Sequence, residues 1–220
     1  MPSPYLQKFK DDVNQKEDKY PNTFILESKK EINEVFLTFD DGPDRVNTIK
    51  ILKILKKEDV KATFFFLGSN IKRYKNIVKQ AFIEGHTVAG HGYDHIDFRK
   101  LTLNDVYKNQ ILKTGMLIKE FIGMEYKFFR PPYGAVTEKQ ITFFQNKGFK
   151  IINWSVDSFD WQSSINKTKM IKEVMDNIHK GAIVLLHSGS SNKMTPDTLE
   201  LLIKKIKKEG YKFSTIDKLF

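Results

Sequence analysis

Five apolar runs in this 220-residue sequence each stop at ionisable residues: FLTF at Asp40 and Asp41, HTVAG at His91, KFF at Arg130, NWSV at Asp157, and IVLL at His187. In α/β folds the carboxyl ends of parallel strands and the loops after them form the edge where ligands bind and catalysis occurs. We therefore expect these side chains to meet at one edge. Carboxylates and imidazoles at such an edge can bind a metal ion and transfer protons.

Three of the five histidines lie between residues 86 and 95. If the chain makes a helical turn there, His91 and His95 share one face, which is a spacing typical of two ligands of one metal ion. A purely structural pair of histidines has the same spacing, so the spacing alone leaves both interpretations open. We interpret His86 as a packing or surface residue. His179 precedes a glycine at a predicted helix end, where an imidazole complements the helix dipole, and we assign it no function.

The segment Asp40-Asp41-Gly42-Pro43 predicts a turn. Two adjacent carboxylates after a buried strand repel each other, so a turn explains one of them better than both, and a cation or an arginine would explain the pair. Arg130 precedes the segment PPYG, whose prolines cannot donate hydrogen bonds, so Tyr133 and Gly134 supply the amides that this loop can present. A solvated arginine before a proline bend is the alternative interpretation.

Both tryptophans of the chain lie in the segment NWSVDSFDW. Trp154 and Trp161 flank the carboxylates of Asp157 and Asp160. Aromatic rings in this setting pack in a core or stack against sugars, and the sequence leaves the two interpretations equal.

The elements around these residues alternate between strands and helices. We predict seven strands at EVFLTF, ATFFFLG, HTVAGH, YKFFR, FKIINWSV, AIVLLH and YKFSTI, with helices between them. Thr137 is a predicted N-cap, and Thr195 is another, with Pro196 at the first helical position. Near-continuous apolar strands separated by helices indicate a parallel sheet, either open or closed into a barrel.

Composition restricts the class of protein further. The formal charge of +10 suggests an anionic surface nearby, but the lysines are scattered over helix faces, so we expect no nucleic-acid partner. The chain has no cysteine, which excludes disulfides and thiolate ligands. Residues 1–30 are polar and predict an extension or loosely packed arm before a single domain at 31–220, and they show neither a signal peptide nor a membrane span. We expect a monomer.

Taken together and in order, the segments TFDDGP, HGYDH, RPPYG, VDSFDW and LLH resemble the five motifs of the polysaccharide deacetylases of carbohydrate esterase family 4, the NodB homology domain. The resemblance runs from about residue 34 to the C-terminus. It implies an α/β fold of the single-domain, distorted (β/α)7 barrel type. It also implies a divalent metal, usually zinc but with cobalt or other ions possible, held by Asp41, His91 and His95. Two histidines and one carboxylate also serve non-haem Fe(II) oxygenases.

The resemblance further implies roles for the residues around the metal. Asp40 resembles the general base, with Arg130 holding its carboxylate, and the Tyr133 amide would face the oxyanion. His187 resembles the general acid, tuned by Asp160, with Asp157 as the rival for that tuning role. Substrate contacts carried over by motif position are Pro131, Tyr133, Trp161 and Leu185.

Two positions depart from the family pattern. Gly90 stands where an asparagine commonly precedes the first metal histidine, and Ile96 stands where a proline commonly follows the second. Neither is a ligand, so we expect changed loop stiffness with the metal retained.

These features together predict a metal-dependent N-deacetylase of N-acetylated aminosugar polymers, with peptidoglycan N-acetylglucosamine preferred as the substrate. Chitooligosaccharides are the nearest rival, followed by N-acetylmuramic acid and O-acetylated xylan. A carbohydrate-binding protein that keeps the fold without turnover is the alternative class. A cell-wall substrate would place the protein outside the cell.

Overall fold

The computed structural model describes residues 4–125, 127–190, 192 and 194–220. The strands in this part of the chain are β1 (Phe24–Ile25), β2 (Glu34–Asp40), β3 (Thr63–Phe66), β4 (Thr87–Gly90), β5 (Phe128–Phe129), β6 (Lys150–Ile152), β7 (Val156–Asp157), β8 (Ile183–His187) and β9 (Lys212–Phe213). The helices are α1 (Pro4–Lys19), α2 (Asn47–Lys57), α3 (Gly68–Arg73), α4 (Lys75–Ile83), α5 (Leu103–Asp105), α6 (Lys113–Ile122), α7 (Glu138–Asn146), α8 (Lys167–Asn177) and α9 (Met194–Lys208), with a π-helical segment, Val106–Leu112, joining α5 to α6. None of these helices is long and apolar enough to cross a membrane.

The strands form one curled parallel sheet in the order β1-β6-β5-β4-β3-β2-β8-β7, with β9 beside the start of β2. The sheet is open between β1 and β7, and residues 153–155 carry the chain across that opening, which we call the seam. At the two sides of the seam the Asn153 amide donates to the Ile25 carbonyl and the Ser155 amide donates to the Ile183 carbonyl. This curled half-barrel confirms the predicted distorted (β/α)7 barrel.

The prediction of seven strands was too low for the described residues. The segment FKIINWSV forms two strands, β6 and β7, because the chain leaves one edge of the sheet and joins the other between them. The further strand, β1, lies in the segment predicted to be an extension. Tyr126, the first residue of the predicted strand YKFFR, lies outside the described residues.

The expectation of a loosely packed arm at the N-terminus was wrong for the described part of it, which excludes residues 1–3. Phe24 pairs with Ile151 in the sheet and is fully buried, and Val13 on α1 joins the same apolar cluster. The Glu17 carboxylate accepts a hydrogen bond from the Leu26 amide at 2.8 Å. A few apolar residues on one face are enough to dock a polar helix, which is why its weak periodicity gave no signal. The division at residue 30 stays a prediction.

Of the two predicted helix N-caps, one is present and the other is absent. Thr137 caps α7 as predicted, and a capping box with Gln140 completes the cap. Thr195 is no cap, because α9 begins at Met194 and the Asn192 side-chain carbonyl accepts hydrogen bonds from the amides of Met194 and Thr195.

Strand register decides which residues face the inside of the curled sheet. Asp40 lies beside His187 on one side and beside Phe65 on the other, and Phe65 lies beside Ala89. Because side chains alternate along a strand and paired positions in parallel strands point the same way, one set of alternate residues lines the interior. The other set, which includes Leu37, Phe39, Phe64, Phe66, Val184 and Leu186, packs under the helices.

Candidate active site

The two adjacent carboxylates at the end of β2 take different partners. Asp40 is the last residue of the strand, is 2% exposed and points into the interior. Asp41 has a positive φ of 70°, which turns the chain and directs the second carboxylate away from the first. The Asp41 carbonyl accepts a hydrogen bond from the Asn70 side chain at 2.9 Å, which supports the turn. The predicted turn is therefore present, and it separates two functional groups.

Asp41, His91 and His95 each offer one ligand atom, and these atoms lie within 4.8 Å of one another. Asp41 Oδ1 is 3.5 Å from His91 Nε2 and 3.2 Å from His95 Nε2. The expected helical turn is absent, because residues 91–97 follow an irregular path in which Gly92 and His95 both have positive φ. A Cβ atom at Gly92 would lie 3.2 Å from the Phe98 ring, so glycine fits this tight path. The two histidines converge through the loop and not through helical spacing.

The chemistry of these three residues fits a divalent cation. Asp41 Oδ1 is buried, and no described residue gives it a well-formed hydrogen bond. Burial acts to raise the pKa of Asp41, but the neighbouring imidazoles of His95, His91 and His187 lower this pKa well below its usual range, so the carboxylate is ionised. Burial lowers the pKa of His91, which favours the neutral imidazole that a metal requires. His91 Nδ1 lies 2.9 Å from the Arg130 carbonyl, so Nδ1 carries the proton and Nε2 is left as the donor atom.

Arg130 is a buried partner of Asp40, which rules out the solvated arginine. Its Nη1 donates to Asp40 Oδ1 and to Thr38 Oγ1, both at 2.8 Å. The remaining guanidinium donors reach the carbonyls of Ile152 and Asn153, and the guanidinium lies over the Phe65 ring at 4.3 Å. Burial lowers the pKa of Arg130 and Asp40 acts to raise it, while an arginine remains protonated in proteins. Asp40 is thus fixed through one oxygen.

Asp160, and not its rival Asp157, holds His187. Asp160 Oδ1 is 2.6 Å from His187 Nδ1, and Oδ2 accepts a hydrogen bond from the His187 amide at 2.8 Å. The Thr195 hydroxyl also donates to Asp160 Oδ2. Burial acts to lower the pKa of His187, but Asp160 and then Asp40 and Asp41 raise it to about 10. Asp157 accepts hydrogen bonds from the Phe159 amide and the Trp161 indole, and burial raises the pKa of Asp157 to about 6.

The sequence interpretation missed the support that Thr195 gives to Asp160. Thr195 is fully buried, and the loop that contains Asn192 brings it to the carboxylate. The only signal in the sequence was a threonine before a proline, which predicts a helix cap equally well.

The four expected substrate contacts differ in how far they are open to solvent. Tyr133 is 58% exposed with a φ of 61°, and its ring lies edge-on to His95 with 4.7 Å between centroids. Its backbone amide makes no hydrogen bond to any residue that the structure describes. Trp161 is 52% exposed and therefore lies outside the core. Trp154 is partly buried and packs against the core. Pro131 and Leu185 are buried, and their contact with substrate stays a prediction.

Despite the two departures from the family pattern, Asp41, His91 and His95 still lie together. Gly90 ends β4, and its carbonyl accepts a hydrogen bond from the Arg130 amide at 3.0 Å. Ile96 is 40% exposed, next to His95. The two histidines without an assigned role lie elsewhere: His86 is buried just before β4, at the opposite end from His91, and His179 pairs with Glu27 at 2.8 Å.

Comparisons with known proteins identify the family of this chain. Residues 27–152 match the polysaccharide deacetylase family. The chain is 40% identical over 189 residues to a peptidoglycan-N-acetylglucosamine deacetylase of Bacillus cereus, which covers 85% of this chain and 68% of that protein. It is 42% identical over 186 residues to such an enzyme of Listeria monocytogenes, covering 84% of this chain. The chain spans only 38% of the length of the Listeria protein.

Solved structures share the fold. A peptidoglycan N-acetylglucosamine deacetylase superimposes with a TM-score of 0.84 at 38% identity, covering 89% of this chain and 91% of that chain. A CE4 family pseudoenzyme of Bacillus anthracis superimposes with a TM-score of 0.80 at 31% identity, covering 89% of this chain and 68% of that chain. The chain therefore belongs to the polysaccharide deacetylase family, carbohydrate esterase family 4, and is a hydrolase of amide bonds.

Proposed function

We propose that this protein is a metal-dependent deacetylase that removes acetyl groups from N-acetylglucosamine residues of peptidoglycan and acts outside the cytoplasmic membrane. The observation that carries the proposal is the position of two proton-transfer pairs beside one ligand cluster. Asp40 with Arg130 lies next to the ligand cluster formed by Asp41, His91 and His95, and His187 with Asp160 is the strand neighbour of Asp40. This is the arrangement that amide hydrolysis needs. The functions of the Bacillus cereus and Listeria relatives and the charge of +10 support the choice of an anionic cell-wall polymer.

Asp41, His91 and His95 would hold the metal, and two imidazoles with one carboxylate suit zinc or cobalt. When bound, such an ion supplies Lewis-acid polarisation of the acetamide carbonyl and makes water more acidic. The described residues offer three ligand atoms, a number that would leave coordination positions for substrate and water.

Asp40 acts as the general base. Its Oδ1 is bound by Arg130, while its Oδ2 lies 3.7 Å from His91 Nε2 and so faces the ligand cluster. An oxygen in this place can accept the proton of the water that attacks the acetamide carbon. Arg130 fixes the carboxylate, since each of its three guanidinium nitrogens donates a hydrogen bond inside the protein.

The Tyr133 amide would donate a hydrogen bond to the oxyanion that forms on the former carbonyl oxygen. This N–H has no acceptor among the described residues, and the positive φ at Tyr133 sets its direction. The ring of Tyr133 against His95 holds the loop beside the ligand cluster.

His187 acts as the general acid that protonates the departing amine. A pKa raised to about 10 keeps the imidazole protonated at neutral pH, and Asp160 fixes Nδ1 so that Nε2 is presented to the substrate. Cleavage of the C–N bond releases acetate and leaves a glucosamine residue in the glycan.

The test is acetate release from N-acetylglucosamine oligomers and from peptidoglycan, measured on chelator-treated protein with and without added Zn²⁺. We expect acetate only with the metal, and a His91→Ala control should bind no zinc and release none. Clear preference for chitooligosaccharide would overturn the choice of peptidoglycan. Metal-independent acetate release would overturn the metal site.

The second candidate is a carbohydrate-binding protein without turnover, which the similarity to a CE4 pseudoenzyme favours. Against it stands the complete arrangement of Asp40, Arg130, Asp160 and His187 in this chain. Polymer binding with zinc bound and no acetate release would favour this candidate over the deacetylase.

A further inference from the structure

A groove of about 960 Å³ runs along the seam of the barrel, between α1 and α8. We call it the seam groove. Its apolar floor includes the aromatic rings of Phe9, Trp154 and Phe159, and the rings of Phe9 and Trp154 stack with 5.6 Å between centroids. The open sheet between β1 and β7 creates this groove, because no strand of the described residues fills the gap there.

Side chains of both charges line the walls of the seam groove. Lys10 and Asp18 stand on α1, and Lys169 and Glu173 stand on α8. None of these four forms an ion pair with a residue of the described chain, whereas Lys29, an exposed residue that also lines the groove, is already paired with Glu17 and Glu27. Charges of both signs above an apolar floor complement a short peptide that carries carboxylates and an amine.

The upper end of the seam groove lies beside the catalytic site. Asp157 lines this end and is the register partner of Leu185, which precedes His187 by two residues, or roughly 7 Å along the strand. The groove then follows α8, whose 11 residues extend for about 16 Å. An extended peptide of about four residues has a similar length, roughly 14 Å.

Resting on the proposed function, we propose that the seam groove binds the peptide branch of a peptidoglycan strand while the glycan lies across the catalytic edge. The sugar next to N-acetylglucosamine in peptidoglycan carries a short peptide with free carboxylates and an amine. Lys10 and Lys169 face its carboxylates, Asp18 and Glu173 face its amine, and the aromatic floor packs against its small apolar side chains.

The test compares acetate release from the same glycan strands with their peptides intact and after an amidase has removed them. Wild-type protein should show a kcat/KM about two- to five-fold higher on the peptide-bearing strands, the size expected for a few exposed charge contacts. Lys169→Glu should remove this advantage by raising KM, with no change on peptide-free strands. Lys172→Glu is the matched control, because Lys172 lies on the same helix, pairs with Asp176 and does not line the groove. Lys10→Glu, on the other wall, repeats the test independently.

Equal kcat/KM of the wild type on both strand types would overturn the peptide groove and leave the deacetylase in place. An equal loss in Lys169→Glu on both strand types would do the same. If neither strand type releases acetate, the proposed function fails instead, and calorimetric titration with both strand types then decides the groove. Tighter binding of peptide-bearing strands would support the groove, and equal binding would overturn it.

Discussion

The imidazoles of His187 and His86 lie at opposite ends of the barrel, and the protein shifts their pKa values in opposite directions. At the catalytic end, Asp160 and the other carboxylates outweigh burial and raise the pKa of His187 to about 10. At the opposite end, burial and then the charge of Lys61 lower the pKa of His86 to about 4. His86 Nδ1 accepts a hydrogen bond from the Ala62 amide at 3.2 Å, and Nε2 has no partner among the described residues. Burial without a carboxylate lowers the pKa of a histidine and favours the neutral imidazole. A carboxylate at hydrogen-bond distance raises the pKa and favours the protonated imidazole, which can act as an acid.

The difference follows from where each residue points. His187 is on the set of alternate positions that lines the interior, together with Asp40. His86 packs outward, with its ring edge-on to Phe64 at 5.4 Å. The polar side chains of the candidate active site occupy the interior positions at the carboxyl ends of the strands, so that end of the barrel is the catalytic end.

The largest expected effect comes from removing the proposed general base at the catalytic end. Asp40→Asn should lower kcat by about 1,000-fold or more, because the amide cannot accept the proton of water. Zinc should remain bound, since Asp41, His91 and His95 are unchanged. Acetate release and metal content measured on the same sample check both points, and near wild-type activity would remove Asp40 as the base.

A smaller effect should come from neutralising Asp160, the carboxylate that binds His187 and has no counterpart beside His86. Asp160→Asn removes the negative charge, so the pKa of His187 should fall and the alkaline limb of kcat should move to lower pH. We expect about a ten-fold loss of kcat near pH 9 on N-acetylglucosamine oligomers. The matched control is Asp157→Asn, which alters a nearby carboxylate that does not contact His187 and should keep the alkaline limb in place. An unmoved limb in Asp160→Asn would show that the carboxylate does not tune the acid.

At the opposite end, the expected effect is on stability and not on activity. The pKa of His86 is lowered in the folded state, so the unfolded chain binds protons more readily, and stability is lost as pH falls from about 6.5 toward about 4. Both proteins are compared without metal. Between pH 7 and pH 5 the free energy of unfolding should fall by about 1–2 kcal/mol more in the wild type than in His86→Gln. Urea unfolding at both pH values measures this, and an identical loss in both proteins would contradict the assignment.

The smallest effect should come from the hydroxyl behind Asp160. Thr195→Val removes the hydrogen bond to Asp160 Oδ2 and should lower kcat about five-fold with KM unchanged, because the carboxylate then holds His187 less firmly. Thr195→Ser keeps the hydroxyl and should restore the rate. Equal rates in the serine and valine variants would reduce Thr195 to a packing residue.

Much of the site could be predicted from local sequence. An apolar run that stops at an ionisable residue marked the ends of β2, β4, β5, β7 and β8, and these ends do meet. The motif positions also named Asp160 correctly as the partner of His187, although composition could not separate it from Asp157. The helical turn that would place His91 and His95 on one face is absent, because the spacing of four residues does not record a loop in which Gly92 and His95 take positive φ.

The sequence by itself determined the residue types, their order and the elements that carry them, because apolar periodicity and strand ends are local properties of the chain. Tertiary structure decided which groups touch. Arg130 meets Asp40 from 90 residues away, and Thr195 meets Asp160 from 35 residues away. Such contacts depend on the register and curvature of the whole sheet, as do the split of β6 from β7 and the seam groove. Distances through space between residues far apart in the chain are set by packing, which no local pattern records.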